Sequence, residues 1–138
     1  MKIALLMGNR FNPWHLQPFA RMKGAEVTCF RAESEIQRYF ADRDDGSAAF
    51  NIERIYFDTQ TGPLPRRVWN TLQTRHRDRE PRLVPFWDRL EGFDILQTWE
   101  LFTDWSEQAA VARERFQSKC SVMVWDNIPF NMERTPYR

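Results

Sequence analysis

Short apolar runs recur along the chain, each bounded by polar or turn-forming residues. Lys2–Met7 is one, at the right length for a central strand. Ala25–Phe30 alternates into a second. Asn51–Phe57 carries Ile52, Ile55, Tyr56 and Phe57 and predicts a third. Phe93–Thr98 and Cys120–Trp125 read as buried parallel strands, because their apolar residues do not spare one face for water.

Helical spacing fills the intervals. Asn12 is a good N-cap, Pro13 falls at the first helical position, and Leu16, Phe19 and Ala20 share a face before Gly24 ends the segment. Ser34–Phe40 predicts a short helix. Arg66–Arg77 predicts another, with Val68, Leu72 and Trp69 turned inward. Leu83–Leu90 is apolar enough to be helical despite Pro85, and Gly92 stops it. Asp104 and Glu107 form a D-x-x-E start resembling a capping box. Trp105, Ala109, Ala112 and Phe116 then recur on one face, and Lys119 places a favourable charge at the end. Strands that alternate with helices predict an α/β fold: a three-layer, Rossmann-like, doubly wound and mostly parallel sheet. Right-handed crossovers place the first strand near the middle, giving the order 3-2-1-4-5.

At 138 residues the chain fits one domain, residues 1–138. A formal charge of +1 gives no global attraction to a polyanion, so nucleic acid is not an expected partner. Local charge is uneven. Arg66, Arg67, Arg75, Arg77, Arg79 and Arg82 face only Asp78 and Glu80, whereas Leu83–Glu107 is acidic apart from Arg89. Arg66–Arg82, with Trp69 and His76, reads first as a solvated helix face with a basic end; the pattern of basic residues with an interleaved aromatic also marks nucleic-acid binding or peripheral contact with anionic lipid. Cys29 and Cys120 are far apart in apolar runs and read as small core residues rather than a disulfide framework. No apolar stretch approaches the ~20 residues of a membrane span, and the N-terminal run is too short for a signal peptide. A reducing cytoplasm is the expected compartment. Aromatic residues make up 14% of the chain, so some of them should line a cleft or meet a partner.

In doubly wound sheets, ligands bind beyond the carboxyl ends of the strands. Three segments fall there. The first is Gly8-Asn9-Arg10-Phe11, a loop feeding a helix N-terminus, where backbone N–H groups and Arg10 could hold phosphate or sugar hydroxyls. Only Gly8 answers to the dinucleotide fingerprint, so NAD and FAD are disfavoured and no cofactor is expected. The second is Glu100, either a hydrogen-bonding or acid–base group or a charge favouring a helix dipole. The third is Asp126-Asn127-Ile128-Pro129, where Asp126 could orient a nucleophilic hydroxyl or simply close an Asx-turn. Asp42-Arg43-Asp44-Asp45 contains a D-x-D, read as a solvated charge run rather than a metal site. Two His and two Cys have no zinc spacing.

The opening Met1-Lys-Ile-Ala-Leu-Leu, Phe93-Asp-Ile-Leu-Gln-Thr-Trp-Glu100 and Val122-Met-Val-Trp-Asp-Asn-Ile-Pro-Phe130 together resemble the N-terminal half of family 4 glycosyltransferases. The resemblance spans nearly the whole chain and is strongest over Phe93–Phe130. It implies a retaining enzyme of the two-Rossmann-domain (GT-B) type, whose N-terminal domain binds the acceptor and whose C-terminal domain binds the nucleotide-sugar donor, usually without a metal. Gly8, Asn9, Arg10, Glu100 and Asn127 would then border the acceptor, with Asp126 the catalytic candidate. The chain departs from the pattern at two places. Trp125 and Asp126 stand where many members have a His, and the first loop lacks a paired Gly. The family's donor-site pair of Glu eight positions apart is absent as well. The expectation is therefore an acceptor-side half that is inactive alone, partnered by a missing donor-binding domain, with Trp99, Phe102 or Phe130 exposed at the junction. The alternative is a stand-alone small-ligand or protein-binding module on a flavodoxin-like scaffold. Oligomeric state is not readable from the sequence.

Overall fold

The computed structural model describes residues 1–6, 16–32, 51–76, 82–101 and 103–124. Five strands form one sheet: β1 (Lys2–Leu6), β2 (Glu26–Ala32), β3 (Asn51–Ile55), β4 (Ile95–Trp99) and β5 (Lys119–Met123). Every pairing is parallel and the order is β3-β2-β1-β4-β5, as the alternation predicts. The helices are α1 (Gln17–Ala20), α2 (Leu64–His76) and α3 (Asp104–Phe116), with a 3-10 turn over Trp87–Leu90. The fold is an α/β, Rossmann-like one.

β1 is central because it has no polar face: Ile3, Ala4, Leu5 and Leu6 are all buried. Side chains alternate across a strand, so they feed two cores. Ile3 and Leu5 join Val27, Cys29 and Leu16 on the side that receives α1. Ala4 and Leu6 join Phe30, Ala32, Ile55, Leu96, Phe86 and Trp105 on the other. There Phe86 stacks on Phe30 at 5.8 Å and meets Trp105 edge-on at 5.5 Å. Truncating a side chain such as Leu96 to Ala would cost about 2–5 kcal/mol.

Helix α3 presents Trp105, Ala109 and Ala112 to this core, and the two alanines let its backbone approach the sheet. Its cap is Thr103, whose Oγ1 accepts from the Ser106 N–H at 3.3 Å. Asp104 is thus the first helical residue, not the cap, and its carboxylate instead accepts from the Leu83 N–H at 2.9 Å. The helix ends on Gln117 in the left-handed region, φ 60°.

β5, expected to be a buried strand, is a half-exposed edge strand that ends at Met123, and two helix expectations fail as well. Leu83–Leu90 is not a helix. Leu83 bridges antiparallel to Phe57, the Val84 N–H donates to the Tyr56 carbonyl at 2.9 Å, and helix is confined to Trp87–Leu90. Pro85 explains this, because it cannot donate and disfavours helix at Val84. The buried Gln108 side chain of α3 takes over, accepting from the N–H groups of Phe86 and Trp87 at 3.0 and 3.2 Å. The second failure is the orientation of α2. Val68, Trp69 and Leu72 are exposed, while the polar Asn70, Thr71 and Gln73 are half-buried. Asn70 tethers the helix by donating to the Asp58 carbonyl at 3.0 Å. The expected helix over Ser34–Phe40 and the Asp42–Asp45 loop lie outside the described residues.

Candidate functional site at the carboxyl ends of the central strands

α1 follows β1 on one face of the sheet and α3 follows β4 on the other. β1 and β4 are adjacent and the helices that follow them lie on opposite faces, which makes their carboxyl ends the topological switch point, the position where open α/β sheets take their ligands. Leu6 pairs with Thr98, and Trp99 with Met123, so the ends of β1, β4 and β5 lie side by side.

Glu100 is the sequence-predicted site residue that falls among the described ones. Gly8, Asn9, Arg10, Asp126 and Asn127 lie outside them. Glu100 directly follows β4 and adopts φ 58°. For a side chain bearing a Cβ this region costs about 1–2 kcal/mol, because Cβ crowds the following carbonyl. The surroundings hold it there. The Glu100 N–H donates to the Met123 carbonyl at 2.9 Å, extending the sheet by one bond. Its carbonyl receives the Ser106 hydroxyl and lies 3.3 Å from Thr103 Oγ1. The Glu100 side chain is half-buried, with Oε2 shielded from solvent.

A hydroxyl network beneath β4 fixes this turn. Thr98 is fully buried, and its Oγ1 lies 3.0 Å from Ser106 Oγ. Each hydroxyl has one proton to give. Ser106 can spend its own on the Glu100 carbonyl while accepting from Thr98. Thr103 can give its proton to the Trp99 carbonyl at 3.2 Å while accepting the Ser106 N–H. Strand end, turn and helix cap become one unit, so the Glu100 backbone is set by residues from both β4 and α3.

Among the described residues, exposed apolar side chains lie next to Glu100. Leu101 is 69% exposed, and Met123 and Val124 are exposed beside it. Trp99, expected to be bare, is half-buried and packs on the core that holds Ile3 and Leu5, because its alternation on β4 points it to that face. Phe102 and Phe130 lie outside the described residues.

Sequence reasoning missed Arg31. Ending β2 at Phe30 left this charge in a loop, but β2 runs to Ala32 and Arg31 is 1% exposed, one position beyond the Phe30 that pairs with Leu6. A charge directly after the apolar pair Cys29-Phe30 was the available signal. Of the basic segment, Arg82 turns to the acidic start of α3, with Nη2 2.8 Å from Glu107 and 3.7 Å from Asp104.

Burial pushes the Cys120 thiol up, and Arg113 partly offsets this. Neither Cys29 nor Cys120 is in a disulfide. Among the described residues no three His, Cys, Asp or Glu side chains group closely enough to hold a metal ion, and no helix is long and apolar enough to cross a membrane. Comparison with protein-family models, with curated proteins and with solved structures found no match to this chain.

Proposed function

We propose that the chain is the acceptor-binding domain of a retaining glycosyltransferase that moves a sugar from a nucleotide-sugar donor held by a second domain. The observation that carries this reading is Glu100: its backbone is held at φ 58° at the switch point of the sheet, next to the exposed Leu101, Met123 and Val124. Backbone strain maintained by a dedicated hydrogen-bond network is a feature of functional turns. A carboxylate accepts hydrogen bonds from sugar hydroxyls, and exposed apolar side chains pack on sugar C–H faces. In this reading Gly8, Asn9, Arg10 and Asn127 complete the acceptor site, and Asp126 orients the acceptor hydroxyl or balances developing charge. Two cysteines outside any disulfide suit the reducing cytoplasm in which we place it.

The test is binding of methyl glucoside, methyl galactoside and methyl mannoside to the 138-residue chain, followed by NMR. At least one should shift resonances near Glu100, and Glu100→Gln should weaken that glycoside about tenfold, the loss of ~1.4 kcal/mol expected when a charge-assisted hydrogen bond becomes a neutral one. No glycoside binding, or binding indifferent to Glu100→Gln, would remove the reading. Turnover of a nucleotide sugar by the chain alone would contradict its assignment as the acceptor side.

A further inference from the structure

The orientation of α2 is inverted relative to what its sequence pattern predicts. An amphipathic helix normally buries its apolar stripe. Here Leu64 is 70%, Val68 49%, Trp69 61% and Leu72 44% exposed. The half-buried positions are Asn70, Thr71 and Gln73, and Asn70 anchors that side to the Asp58 carbonyl. At 100° per residue the four apolar side chains occupy an arc of about 140°. Arg66 and Arg67 fall on opposite flanks of that arc, and both are exposed. No Asp or Glu occurs between Leu64 and Arg77.

We propose that α2 docks this protein on an anionic membrane surface, lying in the interfacial plane with Leu64, Val68, Trp69 and Leu72 among the upper acyl chains and Arg66 and Arg67 at the headgroups. The inference is independent of the functional reading above. Helices of this composition, cationic on the flanks with Trp and Leu on the apolar face, partition into the headgroup boundary without spanning the bilayer. The charges select the occupant. A second copy meeting the same face would bring two more arginines and no Asp or Glu from its own helix to pair with them. Nucleic acid would use the arginines but leave the aliphatic stripe in water. An anionic bilayer satisfies both, since each Arg gains attraction at the surface and each apolar side chain leaves water.

Vesicle co-sedimentation of the intact chain tests this. The probes are phosphatidylcholine vesicles with and without one-third phosphatidylglycerol. The chain should sediment with the anionic vesicles, and bind far less to the neutral ones. Arg66→Gln/Arg67→Gln should lower the partition coefficient about 30-fold, at roughly fivefold per arginine. Raising salt should weaken binding in the same direction. Leu72→Asp should abolish it, and because Leu72 is exposed, circular dichroism and the melting temperature should be unchanged, separating lost docking from lost folding. Brominated lipid should quench tryptophan emission in the parent chain and much less in Trp69→Phe. Absence of binding to anionic vesicles, equal binding to both compositions, or binding that survives Leu72→Asp would overturn the proposal. A concentration-dependent dimer in sedimentation velocity that Leu72→Asp dissolves would assign the stripe to a second copy instead.

Discussion

Removing the Ser106 hydroxyl tests the account of the turn that carries Glu100. Ser106→Ala deletes one oxygen from a site 8% exposed and leaves Thr98 Oγ1, itself fully buried, without its partner at 3.0 Å. It also removes the hydroxyl that the Glu100 carbonyl receives. A buried polar group stripped of its partner costs about 1–3 kcal/mol. For a domain of this size that corresponds to roughly 3–10 °C in Tm, at about 3–4 °C per kcal/mol. Thr98→Val alone should be comparable, since it leaves Ser106 Oγ with one contact fewer. The double variant is the decisive one. Once both hydroxyls are gone the mutual cost disappears, so the double change should be less destabilising than the sum by about 0.5–2 kcal/mol. Urea unfolding monitored by fluorescence and by far-UV circular dichroism would give all three values. Strict additivity, or a Ser106→Ala protein as stable as the parent, would refute the network. Hydrogen exchange adds a local readout. The Glu100 N–H, bonded to Met123 at 2.9 Å, should exchange faster in Ser106→Ala than in the parent, relative to amides in β1.

Gln117 ends α3 with φ 60°, so Gln117→Gly should raise stability by about 0.5–1 kcal/mol in the same urea assay and Gln117→Val should lower it. Cys120 is held protonated above the ordinary thiol range by burial. The unfolded chain loses this proton first as pH rises, so the contribution is fully present below the ordinary thiol pKa and is lost above it. Cys120→Ala should flatten the alkaline decline in Tm, and Cys120 in the parent should react with iodoacetamide more slowly than a model thiol at pH 8.

Much of the sheet could be read from the sequence, because burial on both faces leaves a simple trace. Ile3–Leu6 has no polar alternation, and only a strand covered on both sides tolerates that. The face of α3 was equally plain, since Trp105, Ala109 and Ala112 repeat at helical spacing next to a strand needing cover. The same periodicity misled for α2. Spacing identifies which residues share a face, but Val68, Trp69 and Leu72 share one whether it points to the core or to solvent. Segment Leu83–Leu90 failed for another reason. Its apolar content serves a core position, and the hydrogen bonds that decide its shape come from Tyr56 and Gln108, remote in sequence. Thr103 and Asp104 are both acceptable caps, and local chemistry could not choose between them. At the candidate site, Glu100 was suggested by its place after β4, whereas its left-handed backbone has no signature in its own residue type and follows from Thr103, Ser106 and Met123. Arg31 was lost because a charge was taken to end a strand.

The position of β1 also sets an order of events during synthesis. One edge of β1 pairs with β2, which is complete by Ala32, and β3 extends that half by Ile55. The other edge waits for β4. Lys2 donates its N–H to the Asp94 carboxylate at 2.7 Å across a separation of 92 residues, and the β1–β4 register begins beside it. Closing so long a loop carries an entropic cost and slows the step that depends on it. At ~5–20 residues per second on the ribosome, the interval between Ile55 and Trp99 lasts several seconds. Throughout it Ile3–Leu6 offers an unpaired apolar edge in the middle of the future sheet. Chaperone protection, or transient pairing with a neighbouring nascent chain, would act on that edge before any other.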